Sequence, residues 1–407
     1  MKSVRPVVCR QPPQQSVFDN FDDIDPTLAR LFAMRGLTST DELNYSLKCL
    51  EKVGSLENID DAASLVISHR EKKIIVIGDF DVDGATSTAL LLRCLSEFGF
   101  KEIEYLVPNR FDYGYGLSPE IVDVAAERSP SLLITVDNGI SSIDGVARAN
   151  KLGIPVLVTD HHLPGDELPL AAVILNPNLK GSQFQSRNLA GVGVAFYLMA
   201  RIGRMLEDAG EIGATKIPAR YLDLVALGTV ADVVPLDHNN RILVHQGLIR
   251  MRAGHAVPGI NALFKLAGRT TSRCVSSDLG FSIGPRINAA GRLDDISFGI
   301  ECLLTDSEEE ANKYAYILDQ INKERRDVEL TMKNQAFKYV EQLSENRWPD
   351  FVCVYDKSWH QGVVGLIAAR VKEHCHRPVI AFARENDSHL KGSARSIQGV
   401  HIRDLLE

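Results

Sequence analysis

The stretch Ile74-Ile-Val-Ile-Gly-Asp79-Phe-Asp81-Val-Asp83-Gly84 runs from four β-branched residues into acids at every second position. Ile74–Ile77 is too short for a helix and rich in strand-favouring residues. Ala85–Phe98 carries a helical pattern, so the acids fall where a strand hands over to a helix. Four more short apolar runs follow, Ile103–Val107, Leu132–Val136, Val156–Val158 and Val173–Leu175. Further helical patterns at Pro119–Glu127 and Ile143–Leu152 lie between them. Such alternation predicts a parallel sheet covered on both faces. Ligands of such sheets bind beyond the carboxyl ends of the strands.

Three readings of the acids compete. An EF-hand loop opens with the same D-x-D-x-D-G pattern but needs a bidentate Glu at its twelfth position. Counting from Asp79, that position is Leu90, and no helix precedes the loop, so this reading fails. An aspartyl phosphatase would use one acid as nucleophile and a lysine to hold the phosphate. A metal cluster would share divalent cations among several acids.

The other strand ends choose between them. Leu132-Leu-Ile-Thr-Val-Asp137-Asn138-Gly139 ends a run in an acid, and Val156-Leu-Val-Thr-Asp160-His161-His162 ends one in an acid and two imidazoles. A single Asp after a strand is most often a helix cap. Three strand ends so marked on one rim are not explained that way. Carboxylates gathered without cations resist joint ionisation, and mixed carboxylate and imidazole donors suit manganese, with magnesium as the alternative. Further on, Leu222-Asp223-Leu-Val-Ala-Leu-Gly-Thr-Val-Ala-Asp232 is an apolar helix with an acid at its end, where the helix dipole disfavours it. A metal would supply the partner that such an acid needs if buried.

The remaining chain divides by pattern. A mostly helical stretch runs from about Leu189 to Phe298, clearest at Val192–Leu206 and Ala219–Val230. Glu308–Leu343 reads as one long helix, apolar at both ends and polar at Asn322–Asp327, the pattern of a bridge between domains. After Trp348-Pro349, Phe351–Tyr355 and Val379–Phe382 read as strands around a helix at Gly362–Lys372. The chain stops at Glu407 within a helical pattern, so this unit is expected to be a partial domain. The expected boundaries are 1–60 for a helical extension, 61–305 for the sheet domain with its helical insert, 306–346 for the connecting helix and 347–407 for the smaller α/β domain.

The net charge of −8 argues weakly against nucleic acid, but its distribution argues the other way. Between His238 and Arg292 stand Arg241, Arg250, Arg252, Lys265, Arg269, Arg273, Arg286 and Arg292 against Asp278 as the one acid. A basic stripe suits an anionic polymer, and a solvated helical surface explains it equally well. The seven cysteines form no C-x-x-C pair, which argues against a zinc ribbon and a disulfide framework. His374-Cys375-His376 is read as a plain helix end before Pro378 rather than a metal site. Met1–Gln15 lacks the apolar core of a signal peptide, and no apolar run approaches the ~18 residues of a membrane span, so a cytoplasmic protein without a membrane association is expected.

In their order, Asp-x-Asp-x-Asp-Gly, Val-Asp-Asn-Gly, Thr-Asp-His-His and Gly-Thr-Val-Ala-Asp-Val-Val-Pro-Leu resemble the DHH phosphoesterase superfamily. Pro108-Asn-Arg-Phe-Asp-Tyr-Gly-Tyr-Gly-Leu117 and Gly284-Pro-Arg-Ile-Asn-Ala-Ala-Gly-Arg-Leu293 narrow the resemblance to its single-stranded-DNA exonucleases. His360-Gln-Gly-Val-Val-Gly365 and Lys391-Gly-Ser-Ala-Arg395-Ser resemble the DHHA1 domain that follows in that family. The likeness runs from about Leu31 to the last residue.

It implies an α/β fold of a DHH domain, a connecting helix and a truncated DHHA1 domain. It implies Asp81, Asp83, Asp137, His161 and Asp232 as ligands of two Mn2+ or Mg2+ ions, with Asp79 supporting or sharing a metal. His162 would face the scissile phosphate beside Asp160 as the catalytic pair. Arg110, Arg286, Asn288 and Arg292 would touch DNA phosphates, and Ser393 and Arg395 would grip the strand from the second domain. Backbone N–H groups after Gly84 are a further expected phosphate contact. The implied activity is hydrolysis of single-stranded DNA from the 5′ end in recombination and repair, alongside a DNA helicase and a single-strand-binding protein. Family members continue with a Gly-Gly-His motif and an OB-fold, which this sequence lacks. An oligoribonuclease, small-nucleotide phosphatase or pyrophosphatase would share the metal cluster, and a non-catalytic DNA-binding scaffold would share the fold. The basic stripe favours a polymer, and the filled ligand positions favour catalysis.

Overall fold

The computed structural model describes residues 18, 20, 21, 23–107, 116–343 and 349–402. Among the described residues, the α-helices α1 (Pro26–Met34) and α2 (Ile59–Ser68) precede the first sheet. Its strands are β1 (Lys73–Ile77), β2 (Glu102–Leu106), β3 (Leu132–Val136), β4 (Val156–Thr159) and β5 (Val173–Leu175). All are parallel, in the order β2-β1-β3-β4-β5. After β2 the chain crosses back and lays β3 on the other side of β1. That reversal makes a topological switch point, with a crevice at the carboxyl ends of β1 and β3.

The strands are near-continuous apolar runs because both faces are buried. Side chains alternate between faces along a strand. Ile74, Val76, Leu132 and Ile134 therefore join one core with α2, α3 (Val82–Glu97), α6 (Gly191–Asp208) and α7 (Leu222–Ala231). Ile75, Ile77, Leu133 and Val158 join another with α4 (Pro119–Ala126) and α5 (Ile143–Lys151).

The helical region continues with α8 (His238–Arg252), α9 (Pro258–Leu266), α10 (Gly284–Leu293) and α11 (Ser297–Leu304). The long helix α12 spans Glu308–Leu343, 36 residues, or roughly 54 Å at 1.5 Å per residue. Ala311, Ala315, Leu318 and Ile321 belong to the first core, whereas Met332, Ala336 and Val340 belong to the second. No residue from 323 to 331 is buried, which makes α12 the bridge that its pattern predicts.

The second core lies under a smaller sheet. β6 (Val352–Tyr355) pairs in parallel with β7 (Val379–Arg384), and β7 pairs antiparallel with β8 (Leu390–Arg395). Helix α13 (Val364–Cys375) connects β6 to β7. β8 has no apolar run to announce it, and only its pairing with β7 defines it. His374-Cys375-His376 is a helix end, with Cys375 buried and His376 in a left-handed C-cap conformation. Among the described residues no helix is long and apolar enough to cross a membrane.

Candidate metal centre

The three acids after β1 do not share one loop. Asp79 lies buried just past the strand, Asp81 caps α3, and Asp83 sits in its first turn. Asp81 Oδ1 accepts the N–H groups of Asp83 at 2.8 Å and Gly84 at 3.1 Å, as a good N-cap does. The Val82 N–H donates to Asn288 Oδ1 at 3.2 Å. The Ala85 N–H, the first after Gly84, donates to the Asp81 carbonyl at 2.9 Å, so neither it nor these amides are open to a substrate phosphate, contrary to the sequence expectation. Asp83 in turn accepts Gly191 N–H at 2.6 Å and Val192 N–H at 2.9 Å. The positive start of α6 thus holds its carboxylate.

At the end of β3, Asp137 adopts a left-handed backbone conformation, φ +62°. The Asn138 amide donates to the carbonyls of Ile77 at 3.1 Å and Val136 at 2.9 Å, tying the ends of β1 and β3 together at the switch point. A Cβ on Gly191 would lie 2.6 Å from Asp137 Oδ1, so the approach of α6 requires glycine.

At the end of β4, Asp160 is committed to internal partners. It accepts Ile140 N–H at 2.9 Å, His161 N–H at 2.7 Å, His162 N–H at 3.1 Å and His162 Nδ1 at 2.8 Å. Within the expected Asp160–His162 pair, Asp160 is the partner that orients His162. Two residues that motif reading missed finish the rim. Asn176 and Asn178, just past β5, donate to the carbonyls of His162 and His161 at 2.9 and 2.6 Å. Their signal was Asn176-Pro177-Asn178 directly after the fifth apolar run.

The structure brings Asp79, Asp81, Asp83, Asp137, His161 and Asp232 together. His161 Nε2 lies 3.1 Å from Asp137 Oδ1, 3.5 Å from Asp232 Oδ2 and 3.9 Å from Asp83 Oδ2. Ligand atoms of Asp83, His161 and Asp232 fall within 4.8 Å of one another, as do those of Asp79, Asp81 and Asp137. Burial first, then neighbouring carboxylates, push the Asp79, Asp83 and Asp137 carboxyls well above their usual range. Burial also raises Asp232, against the pull of His161. Burial lowers His161, which keeps it neutral, and Leu189 supplies its backbone hydrogen bond. A metal-ligating imidazole is typically held this way, one nitrogen fixed by a carbonyl and the other bare. Asp79 Oδ1 and His161 Nε2 are buried without a hydrogen-bond partner. Divalent cations fit this donor set: they would neutralise the gathered acids and fill those two atoms' valence. His162 differs, being half exposed, and its hydrogen bond to Asp160 raises it to about 9 despite burial.

The expected DNA contacts are placed less uniformly. Arg110 lies outside the described residues. Arg286 is buried and turned away, with Nε 2.9 Å from Asp319 Oδ1 on α12. Here the guanidinium ties α10 to α12 rather than facing the crevice as a phosphate contact would. Asn288 braces the β1–α3 turn and also lines a groove with Arg292. Arg292 donates to the Gly362 carbonyl at 3.4 Å, across the two lobes. Ser393 and Arg395 meet on β8, with Arg395 Nη1 3.0 Å from Ser393 Oγ, beside Gly365 of α13. Several basic residues of the stripe have partners within the protein. Arg241 pairs with Glu42, Arg269 with Asp278 and Arg286 with Asp319, while Arg252 bonds the Cys274 carbonyl.

A switch-point crevice lined by carboxylates and the Asp160-His161-His162 triplet, joined by a long helix to a small α/β lobe, defines a protein of the DHH phosphoesterase class. The DHH family, N-terminal domain, matches residues 73–229, and the DHHA1 domain matches residues 349–407. The single-stranded-DNA-specific exonuclease RecJ of Escherichia coli (strain K12) is 53% identical over 393 residues, 95% of this chain and 68% of that protein. A crystal structure of exonuclease RecJ bound to manganese superposes with TM-score 0.75 at 32% identity, over 88% of this chain and 86% of that one. RecJ from Thermus thermophilus in complex with Mn2+ gives TM-score 0.81 at 30% identity, over 96% of this chain and 55% of that one. The chain belongs to the RecJ family.

Proposed function

We propose that this chain is a metal-dependent exonuclease that hydrolyses single-stranded DNA from its 5′ end to mononucleotides. The observation that carries this is the convergence of six ligating side chains, from the ends of three strands and two helices, on one crevice. Asp79, Asp81 and Asp137 would hold one Mn2+ or Mg2+ ion, and Asp83, His161 and Asp232 a second, with Asp137 between them. When bound, the ions supply positive charge for the phosphate and make water a better nucleophile.

The chain's own residues do the rest. His162 keeps its proton at neutral pH because Asp160 holds Nδ1, so its exposed edge donates to a non-bridging phosphate oxygen. That donor strengthens as negative charge grows on the phosphate. Arg292 stands where the lobes meet, and Ser393 with Arg395 contacts the strand from the second lobe. A role in recombination and repair, a cytoplasmic setting, and work beside a helicase and a single-strand-binding protein belong to the same proposal.

The test gives the protein 5′-labelled single-stranded and duplex DNA with Mn2+, beside His161→Ala. Release of labelled mononucleotide from single strands by the wild type alone is expected. Equal cutting by both proteins would remove the active-site assignment, and cutting of duplex alone would remove the substrate.

A further inference from the structure

Away from the metal centre, α12 and α13 lie side by side, and the trough between them opens into two adjoining cavities of about 430 and 470 Å3. The cavities share Arg326, Glu329 and Arg370, so they form one groove. Asn288 and Arg292 line its near end, on the helix whose Gly291 abuts the Phe80 carbonyl beside the metal-centre acids. Lys333, Phe337 and His374 line its far end. From Arg325 to Phe337, α12 advances roughly 18 Å.

The groove is cationic. Glu329 is shared by Arg325 at 2.5 Å and Arg370 at 3.3 Å, and Glu373 is held by Arg370 at 3.4 Å. Both acids are occupied by arginines, which leaves the charges of Arg326 and Lys333 for a ligand. The groove is also aromatic. The Phe337 ring stacks on His374, with centroids 4.6 Å apart and planes 22° from parallel. The Lys333 ammonium lies 5.9 Å from the Phe337 centroid. A stacked π-surface ringed by cations is what a single strand meets on a sequence-tolerant binding protein: bases on the rings, phosphates on the charges.

We propose that this groove is a second binding site for single-stranded polynucleotide, holding the strand beyond the metal centre. It rests on the single-stranded-DNA reading above. Two flat rings in parallel favour a base over an acidic peptide, which would use the cations alone.

The experiment measures binding of long and very short fluorescent oligo-dT in EDTA, so that strands stay uncut, over a salt series. Wild type is compared with Arg326→Glu/Lys333→Glu and with His374→Ala. For the long strand the double variant should lose affinity and show a salt slope shallower by about 1.4, from two phosphate contacts at ~0.7 each. His374→Ala should weaken the long strand roughly ten-fold through lost stacking. Hydrolysis of the short strand with Mn2+ should be unchanged in both. Should the double variant melt early, His374→Ala, on an exposed side chain, carries the test. Unchanged affinity and salt slope in the variants would overturn the proposal, as would equal losses on short and long strands. A wild type that neither binds nor cuts single strands would instead overturn the underlying reading, and this proposal with it.

Discussion

Asp160 never reaches the cation cages, yet it decides the protonation of the one imidazole that faces outward. Its hydrogen bond raises His162 to about 9, so the proton is held through neutral pH. Stability from this pair is complete below the free imidazole value of ~6.5 and is lost as pH rises through about 9. Asp160→Asn removes the charge but keeps an acceptor, so His162 should fall back toward ~6.5. The alkaline limb of kcat/KM on single-stranded DNA should then move toward neutrality, with activity at pH 8 down roughly 30-fold as the protonated fraction falls. Superimposable pH profiles would remove His162 as the donor. Gly191 is the second residue-scale test. A Cβ there meets Asp137 Oδ1 at 2.6 Å, so Gly191→Ala should lower Mn2+ affinity about 10- to 100-fold by calorimetric titration. The acids and histidines were legible in the sequence because each ends an apolar run. Gly191 was not, and Asn176 and Asn178 left only the Asn-Pro-Asn after the fifth apolar run, because their work depends on which strands and helices become neighbours.

Helix α12 shows what periodicity reveals and what it hides. Its apolar repeats at either end, and its polar middle, gave both its length and its bridging role. The periodicity does not single out Asp319, which is buried against Arg286 at 2.9 Å and bridged to Lys323 at 2.9 Å. A basic residue in a family motif likewise reads as a phosphate contact until the partner opposite it is known. The two roles are separable. Removing one partner of a buried ion pair costs about 3 kcal/mol, so Arg286→Ala should lower the melting temperature clearly. Its KM for single-stranded DNA, measured well below that melt, should stay near wild type. A raised KM with unchanged stability would return Arg286 to the DNA. The strand β8 escaped notice for a different reason: Lys391, Gly392 and Ser393 carry no strand propensity, and only pairing with β7 makes them a strand.

For the molecule as a whole, folding concentrates acids that cations must neutralise. Burial and mutual repulsion raise Asp79, Asp83 and Asp137 above the unfolded carboxylate value. The stability these groups contribute is therefore present below the unfolded value and is lost as pH rises through the raised ones. The metal-stripped chain should weaken as pH climbs from acid to neutral, and Mn2+ should restore it. At a free concentration 100 times Kd, binding adds about 2.7 kcal/mol. The Mn2+-induced rise in melting temperature should be larger at pH 8 than at pH 5, and equal rises would count against buried, shared acids. The sheet order that joins the acids could not be read from the chain, although their placement at strand ends could. The most direct test is anomalous scattering from manganese-soaked crystals. Two peaks are expected, one touching Asp79, Asp81 and Asp137, the other touching Asp83, His161 and Asp232. A crevice without a peak, or ions bound away from these two trios, would contradict the paired-cation centre.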